Sequence, residues 1–113
     1  MHKLLMKKIT LAAAIVGLSA GALSVHAADE DAAKALLKKN DCFKCHALSK
    51  KKDGPSYKEV AEKRKGEADA VQKLRTHMTT GPKVKIEGKE EEHKILKGSD
   101  AEIKNLIDWI LSL

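Results

Sequence analysis

Cys42-Phe43-Lys44-Cys45-His46 contains both cysteines of this 113-residue chain and constrains its fold more than any other stretch. Two thiols one helical turn apart, followed at once by an imidazole, stand in the C-x-x-C-H order that reads as covalent haem attachment. Each thiol adds to one vinyl group of the macrocycle, and the next side chain supplies a nitrogen to the iron. Three other readings use the same residues. A redox disulfide of the thioredoxin type wants a surrounding βαβ pattern, and no β-branched or aromatic strand runs flank Cys42. A structural zinc site takes four Cys or His ligands, and neither a second C-x-x-C nor an H-x₃₋₅-H pair is present. A plain structural disulfide satisfies the spacing but leaves His46 without a task.

The chain divides into a leader, residues 1–27, and one domain, residues 28–113. Lys3, Lys7 and Lys8 form a positive start, Ile9 to Leu23 an apolar stretch, and Val25-His26-Ala27 offers small residues at the −3 and −1 positions of a cleavage site. The 15 apolar residues fall short of the ~20 that a membrane helix needs. The expectation is an exported chain with no membrane span once the leader is removed. No cysteine stands at the cleavage point to carry a lipid.

The 22 Lys and Arg, less the three of the leader, face 16 Asp and Glu, so the processed chain keeps an excess of about three positive charges. That excess is too small to suggest a nucleic-acid partner. A domain of this size is marginal without a staple. Phe43, Tyr57 and Trp109 are its only aromatics, so the expectation is that the haem itself forms the core.

Asp29 to Asn40 has acidic residues at its start, Lys38 and Lys39 at its end, and Ala32, Ala33, Leu36 and Leu37 in one apolar stripe, which predicts a helix. Gly54-Pro55 marks a turn before a short helix over Ser56 to Arg64, and Glu67 to Thr79 follows as another with Ala70, Val71, Leu74 and Met78 on one side. Residues 83–98 read as a charged loop containing Glu90-Glu91-Glu92-His93. Ser99-Asp100-Ala101-Glu102 is a capping box. The helix that it starts repeats Ile103, Leu106, Ile107, Ile110 and Leu111 on one face, which needs the Ala32 to Leu37 stripe as partner.

This succession, with Cys42 to His46, Gly54-Pro55-Ser56-Tyr57 and the capped last helix through Trp109, resembles the small class I cytochromes c of bacterial periplasms across the whole processed chain. The resemblance implies an all-α cytochrome c fold, with four to five short helices around one covalently bound haem c and the N- and C-terminal helices packed together. It implies thioether bonds from Cys42 and Cys45, His46 as proximal iron ligand, and Pro55 accepting a hydrogen bond from that imidazole through its carbonyl.

The chain departs from the family at the distal ligand. About six residues before the capping serine, where the family has a Met followed by Pro, stand His93 and Lys94. The expected axial pair is therefore His46 and His93, with Met78 as rival and His77, read as an exposed helix residue, behind it. An imidazole in place of a thioether lowers the potential, and Glu90 to Glu92 are expected to act in the same direction.

The expected function is that of a periplasmic electron carrier without enzymatic activity of its own. Lys44, Lys50, Lys51 and Lys52 would steer an acidic redox partner. The alternatives are a gas-binding or sensing module with a displaceable loop ligand, or the haem subunit of a periplasmic oxidoreductase complex.

Overall fold

The structure is a computed structural model that describes residues 27–113. The leader expected at 1–27 lies, apart from Ala27, outside the described residues. Four helices and one hairpin follow in order: α1 (Glu30–Lys39), α2 (Tyr57–Arg64), α3 (Ala70–Thr80), β1 (Lys83–Ile86), β2 (Lys89–Glu92) and α4 (Asp100–Leu111). A single 3₁₀ turn at Cys42–Lys44 sits between α1 and α2.

α1, α2 and α4 start where the sequence provides a side-chain cap, whereas α3 begins at Ala70, three residues after the expected Glu67, without one, and leaves Val71 exposed. The Asp29 carboxylate accepts from the Ala32 N–H at 3.0 Å, and Glu30 and Asp31 then face the positive end of α1. In α4 the Ser99 hydroxyl accepts from the Glu102 N–H at 3.1 Å while the Glu102 carboxylate accepts from the Ser99 N–H at 3.0 Å. Those bonds from Ser99 hold the Glu102 carboxyl below its ordinary range. Its share of the cap is present at neutral pH and fades as acid protonates it. Ser99→Ala is expected to cost about 1 kcal/mol, a fall in melting temperature of roughly 4–8 °C for a domain of this size. A thermal melt followed by far-UV circular dichroism checks it.

α4 is the hub, packed against α1, α2 and α3. Leu37 of α1 meets Leu106, Ile107 and Ile110 of α4, all four with less than 2 % relative exposure, and Leu74, Leu96, Tyr57 and Trp109 complete the buried cluster. The expected pairing of the terminal helices is thus present. Asn105 fastens it at one end by accepting from the Asp29 N–H at 2.8 Å and donating to the Asp29 carbonyl at 2.9 Å. The expectation that a cofactor alone would form the core is corrected. Aliphatic residues at helical spacing bury enough surface between α1 and α4 to make one, at roughly 1.5–3 kcal/mol for each fully buried side chain.

The expected charged loop at 83–98 is corrected as well, because its first ten residues form an antiparallel hairpin. Glu87 and Gly88 turn the chain with φ of 50° and 79°, the two positive values that a two-residue hairpin turn demands. The register sets Lys83 opposite Glu92 and Lys85 opposite Glu90. Val84 and Ile86 are half-buried while their neighbours are exposed. The mostly helical class stands, with this hairpin added.

Candidate functional site

α1 ends at Asn40, and Asp41 adopts a left-handed conformation, φ 57°, that swings the chain into the 3₁₀ turn. Within it the Cys42 carbonyl accepts from the N–H groups of Cys45 at 3.3 Å and His46 at 3.0 Å. Local backbone bonding thus gathers both thiols and the imidazole within one turn. Cys42 and Cys45 are free, half-buried thiols, so the disulfide reading finds no bond here. Burial pushes the Cys42 thiol up from its ordinary pKa. Among the described residues no group of three or more His, Cys, Asp or Glu side chains is arranged to hold a bare metal ion.

His46 is held by the loop that follows it. Its Nδ1 lies 2.7 Å from the Pro55 carbonyl oxygen. A carbonyl only accepts, so Nδ1 carries the proton and Nε2 keeps its lone pair for a metal. The Pro55 carbonyl is itself fixed because Ser56, 1 % exposed, caps α2 through its hydroxyl. Tyr57 and Lys58 donate back to the carbonyls of Ala47 and Leu48. The Tyr57 ring, which burial keeps from ionising at any ordinary pH, lies 5.4 Å from the His46 ring and 6.1 Å from Trp109.

Gly54, which the sequence reading passed over as part of a turn, is a second constraint. A Cβ at this position would stand 2.4 Å from His46 Cε1 and 2.8 Å from Nδ1. Only the missing side chain lets the backbone lie against the imidazole.

His93 follows β2 directly, and its N–H donates to the Pro82 carbonyl at 2.8 Å, which closes the base of the hairpin. Its ring centroid lies 6.1 Å from that of His46. Its Nδ1 lies 2.8 Å from the Lys94 carbonyl, so the same logic leaves Nε2 bare. Burial lowers the pKa of His93, which favours the neutral form that ligates metals. Two imidazoles sharing one metal through Nε2, with bonds of about 2 Å each, have centroids roughly 6 Å apart. The 6.1 Å separation of the His46 and His93 rings matches that distance.

The other candidates fall differently. Met78 packs its side chain against the apolar core, and its carbonyl accepts from the Leu96 N–H at 2.7 Å. His77, expected to be exposed, is half-buried with its ring 4.5 Å from that of His93. Burial, and then the neighbouring His93, lowers its pKa. The hairpin folds His93 back over α3, which linear spacing does not reveal.

Lys44, Lys50, Lys51 and Lys52 are exposed, and the Lys52 ammonium donates to the Phe43 carbonyl at 2.8 Å. In the hairpin register Glu90 and Glu92 stand opposite Lys85 and Lys83, and Glu91 opposite Val84.

The family model described as cytochrome c matches residues 30–113. The chain is 37% identical over 112 residues to cytochrome c-552 of Hydrogenobacter thermophilus, covering 96% of this chain and 99% of the relative. It is 34% identical over 116 residues to cytochrome c-551 of Stutzerimonas stutzeri, with the same coverage. Among solved structures it is similar to the class 1 cytochrome MtoD from Sideroxydans lithotrophicus ES-1, at 60% identity and a TM-score of 0.74 over 76% of this chain and 97% of that one. It is also similar to Nitrosomonas europaea cytochrome c552, at 33% identity and a TM-score of 0.58 over 71% of this chain and 98% of that one.

Proposed function

The chain belongs to the cytochrome c family, and from that premise we propose that it is a periplasmic carrier of single electrons whose iron is ligated by His46 and His93 at a potential below that of Met-ligated relatives. Its cofactor is one haem c, held covalently through Cys42 and Cys45. The protein is an electron carrier and not an enzyme. When bound, the haem supplies a one-electron couple between ferric and ferrous iron.

The chain's own residues prepare both faces for that couple. Cys42 and Cys45 anchor the macrocycle, Pro55 orients the proximal imidazole through Nδ1, and the Lys94 carbonyl does the same for the distal one. Hydrogen bonds to Nδ1 make both imidazoles more basic, and basic nitrogen ligands favour ferric iron and lower the potential. With His46 and His93 both as ligands, no position on the metal would remain for a substrate, which suits transfer of electrons without chemistry at the iron. The single observation that carries the ligand assignment is the 6.1 Å separation of two imidazoles, each with Nδ1 tied to a carbonyl. Met78 is engaged in the core.

Low-temperature EPR and near-infrared spectra of the ferric protein test this. The wild type and Met78→Ala are expected to give the same low-spin bis-imidazole spectrum, without the charge-transfer band of a thioether ligand, and His93→Ala to lose it. A thioether band in the wild type that disappears in Met78→Ala would overturn the assignment.

No helix among the described residues is long and apolar enough to cross a membrane. The reading as a periplasmic carrier rests on the leader pattern over residues 1–27. The redox partner is proposed to present an acidic surface to Lys44, Lys50, Lys51 and Lys52. Reaction with such a partner should slow as ionic strength rises and the charges are screened; a rate indifferent to salt in stopped-flow measurements removes the lysines from that role.

A further inference from the structure

We propose that Asn40 is a positioning residue for the distal ligand: its buried carboxamide locks the segment that follows His93 onto the end of α1, beside the cysteine anchor, and so keeps the sixth coordination position closed to small molecules. The proposal deepens the reading of His93 as axial ligand and rests on it.

Asn40 is 5 % exposed, and its amide group is fully engaged with backbone. Nδ2 donates to the Leu36 carbonyl at 2.9 Å and to the Lys97 carbonyl at 3.0 Å, and Oδ1 accepts from the Lys97 N–H at 2.9 Å. The side chain thus pairs with residue 97 as one peptide pairs with another in a sheet. Asn40 lies two residues before Cys42, and Lys97 four residues after His93, so this one group joins the covalent anchor to the distal segment.

The segment has other fastenings, but they differ in kind. The N–H groups of His93 and Leu96 donate to the carbonyls of Pro82 and Met78, bonds that any sequence could make. The Lys94 ammonium reaches the Asp41 carboxylate at 3.2 Å with both side chains more than half exposed, where solvent screens the attraction. Leu96 also buries its side chain in the core, but among the hydrogen-bonding groups of this set Asn40 alone is a buried side chain with a specific shape. Aspartate at this position offers no donor to the Leu36 and Lys97 carbonyls, glutamine is one methylene too long for the gap, and alanine leaves the Lys97 peptide without its partner.

An external ligand reaches a six-coordinate iron only when a protein ligand leaves, so its uptake reports how often the distal segment opens. Removing the Asn40 clasp should raise that frequency without altering which atoms ligate the metal in the closed state. The test is cyanide binding to the ferric holoprotein, followed by stopped flow under pseudo-first-order conditions. Asn105→Ala serves as the control. Asn105 makes the same two-bond clasp to Asp29 and no hydrogen bond to residues 93–97, so it reports lost stability alone.

Asn40→Ala is expected to take up cyanide on the order of tenfold faster than wild type, the factor that 1.4 kcal/mol of lost segment stability gives. Asn105→Ala should bind at close to the wild-type rate, and the resting EPR spectrum should be unchanged in both. Should Asn40→Ala yield no holoprotein, Asn40→Asp, which retains the acceptor for the Lys97 N–H, carries the same expectation. Wild-type cyanide kinetics in the Asn40 variants, or equal acceleration by Asn105→Ala, overturns the positioning role. Should His93→Ala keep the wild-type EPR spectrum, the ligand assignment fails instead, so the two failures are told apart.

Discussion

Gly54→Ala is expected to damage the proximal face out of proportion to the single methyl group it adds. The new Cβ would meet the His46 ring at 2.4 Å from Cε1 and 3.0 Å from Nε2, closer than any packed carbon tolerates. The ring has little freedom to retreat, because Nδ1 is bonded to Pro55 and Tyr57 lies 5.4 Å from it. If the loop moves instead, it strains the bond from the Gly54 N–H to the Cys45 carbonyl at 2.8 Å and that from the Lys52 N–H to the Gly54 carbonyl at 3.1 Å. Overpacking of this kind costs about 1–3 kcal/mol, and here the strain would fall on the imidazole that we propose as the proximal ligand. The expected result is a lower yield of mature haem c per polypeptide and a high-spin fraction in the optical spectrum. A variant with wild-type haem content and spectrum would mean that the turn at 52–55 absorbs the methyl group by shifting as a unit.

The second large effect is expected at His93. With alanine there, the reduced protein should bind CO promptly and stoichiometrically at neutral pH, whereas the wild type stays inert. His93→Met should raise the midpoint potential by on the order of 100 mV, a modest part of the about 0.8 V that axial ligation spans. Neither substitution touches the α1–α4 core, so far-UV circular dichroism should show the fold retained. Prompt CO binding by the wild type would favour the ligand-binding alternative over the carrier. An unchanged potential in His93→Met would remove His93 from the iron.

Both predictions depend on residues that were unequally legible in the sequence. Cys42, Cys45 and His46 could be read directly because one turn of backbone hydrogen bonding gathers them, and only the orientation of the His46 ring needs the later loop, through Pro55. The same holds for the cap of α4, whose partners Ser99 and Glu102 are three residues apart. The hairpin at 83–92 carried a signal that was passed over: Lys83-Val84-Lys85-Ile86 alternates at the period of a strand, and Glu87-Gly88 occupies the two turn positions. The preponderance of charge masked it. Cross-strand Lys and Glu supply favourable pairing, and Val84 and Ile86 half-bury one face.

Gly54 was visible as a turn glycine, but its closeness to the His46 ring was not, since seven intervening residues can take many paths. Asn40 looked like the end of a helix rich in lysine. That its carboxamide pairs with a peptide 57 residues away has no local signature, because the two segments meet only after α4 has docked on α1.

The sequence by itself determined the covalent cofactor and the helix that organises the core, each written in side chains no more than about one or two turns apart, and it singled out His46 and His93 as the expected axial pair. Tertiary structure alone decided the remainder: that the His93 ring comes within 6.1 Å of the His46 ring, that His77 is drawn in beside His93, and that the Asn40 carboxamide pairs with the Lys97 peptide. The physical reason is one of range. Local backbone bonds and periodic apolar faces follow from neighbouring residues, whereas distant pairings exist only once burial has offset the entropy of closing the loops between them.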